Sequence, residues 1–140
     1  MQTFLPYANF KLTAHCLDNQ RLGKQRVEAL QIHNIVSGKR TKGGWVNHPA
    51  VTMWRGYQDA LALYHNVVID EWISRGFQNN MPYLALPKDG IRLPLWLGDE
   101  RVHSSHRSNL IRKAPDWYAA FGWLEASDLN YYWPGNQHEE

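Results

Sequence analysis

The residues best suited to chemistry are concentrated in positions 17–40, the helix-length stretch LDNQRLGKQRVEALQIHNIVSGKR. At about 100° per residue, the side chains of Arg21, Lys24 and Glu28 project from about one-sixth of the helix circumference. Apolar side chains, Leu22 and Leu30 among them, point elsewhere. An acid held among cations in this way suits an enzyme that docks on phosphate groups and moves protons beside them.

A charged helix face is more often a solvated network of ion pairs than a functional site. Two features of this stretch nevertheless favour a site. The order Lys24 to Glu28 is the weaker orientation for an i,i+4 ion pair, so helix stability explains the pair poorly. Arg26 falls within the apolar arc, where a semi-buried cation needs a partner or a ligand.

Asn47 and His48 form a second candidate group. Pro49 fits the first turn of a helix, which places both residues at a helix N-terminus, where anions are stabilised. Simple capping of the helix by Asn47 or His48 explains the same pattern equally well.

A third group lies on one predicted helix near the C-terminus. Its cations suit phosphate contacts that set the register of a protein on a duplex, with a solvated face as the alternative. His103 and His106 have the i,i+3 spacing of possible metal ligands, but a single cysteine and the absence of an HExxH-type pattern disfavour a metal site. The residues of this group are His103, His106, Arg107, Arg112 and Lys113.

Composition restricts the class of protein. The 140 residues, 44% hydrophobic with a net charge of +2, are typical of one globular domain spanning residues 1–140. The single Cys16 excludes an internal disulfide and favours a reducing compartment such as the cytoplasm. No apolar run has bilayer length and the first ten residues do not resemble a signal peptide. We therefore expect a cytoplasmic protein without a membrane partner.

Three helices are expected to position these residues. The first runs from about Thr13, as N-cap, to Gly38, the second from just after Pro49 to near Gly76, and the third over roughly 99–113. Residues 77–98 contain three prolines and are predicted to form an irregular loop or a short hairpin. Residues 115–134 are rich in aromatic side chains, which suit stacking on bases but are expected to be mostly buried. The sequence predicts a compact all-α fold.

Four segments, in this order and spacing, resemble the pyrimidine-dimer DNA glycosylase / AP lyase family of the phage endonuclease V type. They are RVEAL at 26–30, VSGKR at 36–40, SRGF at 74–77 and APDWYAAFG at 114–122. The resemblance covers most of the chain. It implies a single helical domain of three main helices, with an N-terminal segment threading between them and bringing the terminal amine to a catalytic glutamate.

The resemblance also implies roles for individual residues. Glu28 corresponds to the catalytic glutamate, and the amine of the mature N-terminus, on Met1 or Gln2, to the nucleophile that forms an imine with the sugar. α-Amines have a pKa of about 7.7–8.0, so part of the population is neutral near pH 7. No metal or organic cofactor is implied. The expected partner is double-stranded DNA with damaged bases or abasic sites, bound by a monomer associated with the nucleoid. The expected DNA contacts are Arg21, Lys24, Arg26, Asn47, His48, His103, His106, Arg107, Arg112 and Lys113.

Three features depart from the phage member of that family. Gln2 is bulky and hinders removal of the initiator methionine, which favours the amine of Met1 as nucleophile. The segment before Glu28 is several residues longer. Val27 replaces the arginine that precedes the glutamate, so Arg26 or Arg21 would take over its contact with phosphate.

Two other functions compete with the enzyme hypothesis. A non-catalytic nucleic-acid-binding module on the same fold would bind DNA in a salt-dependent manner without turnover. A metal-dependent hydrolase would use His48, His103 and His106 and would lose activity in the presence of a chelator.

Overall fold

Six α-helices and one 3-10 turn account for the regular structure of residues 1–134, the part of the chain that the computed structural model describes. No strand occurs among these residues, which confirms the all-α prediction. The elements are α1 Phe10–Cys16, α2 Asn19–Val36, α3 Pro49–Thr52, α4 Gln58–Ser74, α5 Glu100–Lys113, α6 Pro115–Tyr118 and the 3-10 turn Ala119–Phe121.

The first predicted helix is two helices, α1 and α2, so its prediction as one element from Thr13 was wrong. Asn9, not Thr13, caps α1, because its side chain accepts a hydrogen bond from the Leu12 backbone N–H. Leu17 is extended, and Asp18 caps α2. The hydroxyl of buried Tyr118 donates to Asp18 Oδ1 at 2.5 Å. A contact across 100 residues thus fixes the break, and helical periodicity alone does not reveal it.

The second predicted helix is also interrupted. His48 caps the short helix α3, and Gly56 then adopts a φ of +84°, a left-handed conformation that residues other than glycine rarely tolerate. The chain restarts as α4 at Gln58. The third predicted helix is confirmed as α5, with Asp99 as its N-cap.

The hydrophobic core lies mainly between α2 and α4, the helix pair with the most extensive contact. Leu22 and Ile32 of α2 meet Leu61 and Val68 of α4, and all four are fully buried. At Gly23 the helices approach so closely that an added Cβ would lie 2.9 Å from the Trp72 ring. This interface keeps α2 rigid along the length that carries Glu28.

Residues 77–98 contain no helix or strand, so of the two predicted alternatives they form the irregular loop and not the short hairpin. None of the helices in residues 1–134 is both long and apolar enough to cross a membrane. The C-terminal end of the predicted domain, residues 135–140, lies outside the described residues.

Candidate active site

The first six residues run through the interior instead of along the surface. Gln2, Thr3, Phe4 and Leu5 are each at most 6% exposed, although they form no helix or strand. The buried N–H and C=O groups of this segment must be hydrogen-bonded by side chains, because the segment has no helical or strand hydrogen bonds of its own. The expected threading of the N-terminal segment between the helices is therefore confirmed.

Gln25, on the inner face of α2, holds the start of this segment. Its amide nitrogen donates to the Gln2 carbonyl at 2.9 Å, and its amide oxygen accepts from the Phe4 N–H at 2.9 Å. Tyr64 of α4 donates to the Phe4 carbonyl at 2.7 Å. Gln25 and Tyr64 are completely buried, so these bonds are shielded from competing water.

Two histidines of α5 hold the next residue. Nδ1 of His106 accepts from the Leu5 N–H at 2.9 Å, and Nδ1 of His103 lies 2.7 Å from the Leu5 carbonyl. His103 Nε2 accepts from the Gly98 N–H at 2.9 Å, so its Nδ1 carries the proton and donates to Leu5. Burial, and secondarily the charge of His103, lowers the pKa of His106 to about 3. The neutral ring is the form that can accept from Leu5.

These restraints bring the end of the chain to Glu28. The Met1 amine nitrogen lies 3.9 Å from Glu28 Oε1, and the Gln2 backbone N–H donates to the same oxygen at 3.1 Å. The other carboxylate oxygen of Glu28 lies 3.4 Å from the Gln25 amide nitrogen. These contacts orient the carboxylate from the protein side. Because the Glu28 side chain is 24% exposed, its other side is open to a ligand.

Outside the carboxylate is a depression of about 420 Å³, which we call the Glu28 cleft. Its wall contains both cationic side chains and aromatic rings. The residues that line it are Met1, Gln2, Phe4, Arg21, Lys24, Glu28, His48, Lys113, Tyr131 and Trp133.

His48 contributes an uncharged ring to this wall. Its Nδ1 accepts from the Ala50 N–H at 3.0 Å, which assigns the proton of the neutral ring to Nε2. Burial, and then the positive charge of the N-terminal ammonium, lowers the pKa of His48. The ring therefore stays neutral near pH 7 and offers a donor rather than a second positive charge.

Seven of the residues expected from the sequence thus share one cleft. Arg21 also pairs with Asp18 at 3.1 Å, whereas the Lys24 side chain is exposed. The seven residues are Met1, Gln2, Arg21, Lys24, Glu28, His48 and Lys113.

The other expected DNA contacts do not line the Glu28 cleft. The Arg26 guanidinium lies 4.4 Å from the centre of the Trp72 ring and donates to Asn79, which is the partner that its semi-buried position requires. Asn47 is exposed, and the structure gives its side chain no part in the cleft.

Three of the expected contacts on α5 have internal partners. His103 and His106 are buried, and most of their ring nitrogens are bound to the Leu5 and Gly98 backbone. Arg107 is 14% exposed and pairs with Glu125 at 2.7 Å and with Glu100. We therefore remove these three side chains from the proposed DNA contacts.

Arg112 differs from these three because it is exposed, but it donates to the Ser127 carbonyl at 2.9 Å and does not line the cleft. A metal-dependent hydrolase would need at least three metal ligands in one place. Within residues 1–134 no three His, Cys, Asp or Glu side chains are grouped as metal ligands.

Sequence reasoning missed Gln25 and Tyr64, the side chains that hold the N-terminal segment. A signal for Gln25 was present, because this polar residue falls three positions after Leu22 and four before Ala29, on the buried stripe of α2. Tyr64 lies among the buried residues of α4, and its hydroxyl gave no signal in the sequence.

Comparison with models of protein families identifies the family of this chain. The model of a family described as pyrimidine dimer DNA glycosylase matches residues 1–84. No curated protein and no solved structure matches the chain. The matched span covers more than half of the 140 residues and includes Met1, Gln2 and Glu28. The chain therefore belongs to the pyrimidine dimer DNA glycosylase family, a family of DNA-repair glycosylases that act on DNA.

Proposed function

We propose that the protein excises a damaged pyrimidine, either a pyrimidine dimer or another modified base, and then cleaves the strand by an AP lyase step. In this mechanism the N-terminal amine forms an imine with the sugar, and Glu28 moves the protons. The observation that carries the proposal is the position of the chain terminus, whose nitrogen lies 3.9 Å from Glu28 Oε1 at the wall of an open cleft.

Two nitrogens are candidates for the nucleophile. With Met1 retained, as the bulk of Gln2 favours, the amine is that of Met1. If Met1 is removed, the nitrogen of Gln2, at 3.1 Å from Glu28 Oε1, becomes the amine. Both positions lie within reach of the same carboxylate, so the chemistry does not depend on which residue is first.

The reaction begins with base release. The lone pair of the neutral amine attacks C1′, the C1′–N bond to the base breaks, and the base leaves with that electron pair and takes up a proton. The C1′–O4′ bond then opens, O4′ is protonated and the amine nitrogen has by then lost both of its protons, which gives an imine to C1′. A damaged base is easier to unstack than an intact one, and this contributes to selectivity.

Strand cleavage follows from the imine. The Glu28 carboxylate accepts a proton from C2′, the electron pair forms the C2′=C3′ double bond, and the C3′–O bond breaks with loss of the 3′ phosphate. Water then hydrolyses the imine and frees the amine. Arg21, Lys24 and Lys113 in the cleft wall would bind the flanking phosphates.

Borohydride trapping on duplex DNA with one abasic site tests the proposal, because borohydride reduces an imine to a stable covalent bond. We expect an adduct with the unmodified protein and none with protein acetylated at its N-terminus. A panel of duplexes with different damaged bases, read with and without alkali, separates base excision from strand cleavage.

Each alternative gives a different result. A non-catalytic binding module would bind the duplexes in a salt-dependent manner with no adduct and no excised base. An equal yield of adduct from acetylated protein would contradict the role of the N-terminal amine.

A further inference from the structure

A cationic segment that the proposed mechanism does not use connects α2 to α3, and we call it the 37–47 loop after its residues. No Asp or Glu occurs in residues 29–58. Every residue from 37 to 45 is exposed. An exposed stretch with cations and no acids suits a polyanion, because nothing in it repels phosphate groups. The Lys and Arg residues of the acid-free stretch are Lys39, Arg40, Lys42 and Arg55.

The two arginines of this stretch stabilise the loop and leave its two lysines available. Arg40 Nε donates to the Lys42 carbonyl at 3.1 Å, and Arg55 donates to the Val46 carbonyl at 2.8 Å. The Lys39 and Lys42 side chains are exposed and form no ion pair within the described part of the chain. Their ammonium groups can therefore bind phosphates.

Trp45 brings an aromatic ring from the 37–47 loop to the rim of the Glu28 cleft. It lies in a turn in which the His48 N–H donates to the Trp45 carbonyl at 3.0 Å. Its ring centre is 5.0 Å from that of His48, which lines the cleft, whereas Trp45 itself does not. Trp45 is nevertheless 44% exposed. A large ring with one face on the protein and the rest in water is typical of a binding surface.

We propose that the 37–47 loop holds the duplex beside the damaged nucleotide, and that Trp45 enters the base stack at the gap which that nucleotide leaves. Lys39 and Lys42 bind the phosphates next to this gap. The inference rests on the proposed function, since it assigns the loop to the same DNA substrate. A base that leaves the stack exposes the faces of its neighbours, and an inserted side chain at this place restores stacking and keeps the duplex open.

The length of α2 sets the span of the expected contacts. Lys24 lines the cleft, and the 37–47 loop begins after the last residue of the helix, Val36. From Lys24 to Val36 the helix rises about 18 Å, at about 1.5 Å per residue. A duplex that lies along α2 therefore reaches the loop about five base pairs from the phosphates at Lys24, at about 3.4 Å per base pair.

The experiment compares an intact duplex with a duplex that carries one tetrahydrofuran site, an abasic analogue that cannot form an imine. Only the second duplex offers a gap to Trp45, whereas the lysines meet phosphates in both. We expect Trp45→Ala to lower the affinity for the tetrahydrofuran duplex about tenfold, as loss of one stacking contact predicts, and to leave the affinity for the intact duplex nearly unchanged. The ratio of the two affinities also corrects for any loss of folded protein.

Two further variants test whether the ring itself matters. Trp45→Phe keeps an aromatic ring, so it should retain most of the preference for the tetrahydrofuran duplex. Trp117→Ala is the matched control, because Trp117 is 41% exposed and does not line the cleft. It should keep the wild-type ratio of affinities.

The two lysines are tested by salt dependence. Lys39→Gln and Lys42→Gln should each weaken binding to both duplexes and reduce the slope of log K against log salt concentration by about 0.9. Lys11→Gln is the matched control, since Lys11 is also exposed but lies in the groove between α1 and α4. It should keep the wild-type slope.

Borohydride trapping on duplex DNA with a natural abasic site reports the proposed function separately. If wild-type protein forms the adduct, a wild-type ratio of affinities in Trp45→Ala would overturn the inference and leave the proposed function intact. Unchanged salt slopes in both lysine variants would do the same. If wild-type protein forms no adduct, the proposed function fails first and the inference with it.

Discussion

Two helices carry the charged and polar groups that the sequence marked as candidate DNA contacts, and the structure uses them in opposite ways. On α2, Lys24 is exposed and Glu28 opens onto a cleft. On α5, His106 is completely buried and Arg107 is held by two carboxylates. The candidate residues of α2 thus open onto the cleft, whereas those in the middle of α5 face the protein interior and only Lys113, at its end, lines the cleft.

The difference between the two helices lies in internal partners: a side chain that has them is structural, and one that lacks them on its outer side can react. The α5 histidines satisfy the backbone of the N-terminal segment, and in doing so they fix where the chain terminus lies. The α2 carboxylate meets that terminus and keeps its outer side open. Helix α5 positions the N-terminal segment, and α2 provides the reacting carboxylate. We therefore expect substitutions on α5 to lower stability and substitutions on α2 to lower activity.

The largest effect is expected for Glu28→Gln. Loss of the proton acceptor should slow strand cleavage by a factor of about 10² to 10⁴, because this is the range that general acid–base groups contribute. Affinity for abasic duplex should change little, since the cations remain. Glu100→Gln on α5 is the matched control and should retain most of the cleavage rate. Equal losses for the two variants would remove the distinction between the helices.

His106→Ala should be the most destabilising change on the α5 side. It leaves the buried Leu5 N–H without an acceptor and opens a cavity, at a cost of about 3 kcal/mol in the free energy of unfolding. Lys24→Ala, an exposed change on α2, should stay within about 0.5 kcal/mol of wild type. Urea unfolding measures both. A His106→Ala protein as stable as wild type would contradict the structural role of α5.

The pH dependence of the free energy of unfolding should show the effect of His106. Its pKa is about 3 in the folded protein and near 6.5 when unfolded, so the unfolded chain takes up the proton first on acidification. The contribution of neutral His106 to the free energy of unfolding is fully present above pH 6.5 and is lost as the pH falls towards 3. At pH 5 the loss is about 2 kcal/mol. Thermal unfolding should show a shallower slope below pH 6.5 for His106→Gln.

The smallest effect concerns binding of phosphate. Lys24→Gln and Lys113→Gln should each reduce the slope of log K against log salt concentration by about 0.9, the value for one lost phosphate contact on a duplex. Arg107→Gln should leave this slope unchanged, because its guanidinium is bound to Glu100 and Glu125. Fluorescence anisotropy over a salt series gives the slopes. A reduced slope for Arg107→Gln would place the middle of α5 at the DNA as well as its last residue, Lys113.

The contrast between α2 and α5 also explains which parts of the site could be predicted from the sequence. Helix periodicity grouped Arg21, Lys24 and Glu28 correctly, because one helix face is a local property. It did not anticipate the internal partners of His103, His106 and Arg107, most of which are 7 to 101 residues distant in sequence. The break at Asp18 was missed for the same reason, as Tyr118 helps to fix it.

The central claim, that the terminal amine is the nucleophile, meets a direct rival inside the cleft. Lys24 and Lys113 also line it and carry amines that can form an imine. Mass spectrometry of the peptide that retains the sugar after borohydride reduction on abasic duplex distinguishes them. In wild-type protein we expect the sugar to be attached to the first residue of the mature chain, Met1 or Gln2. A sugar found on the Lys24 or the Lys113 peptide, with an unmodified N-terminus, would contradict it.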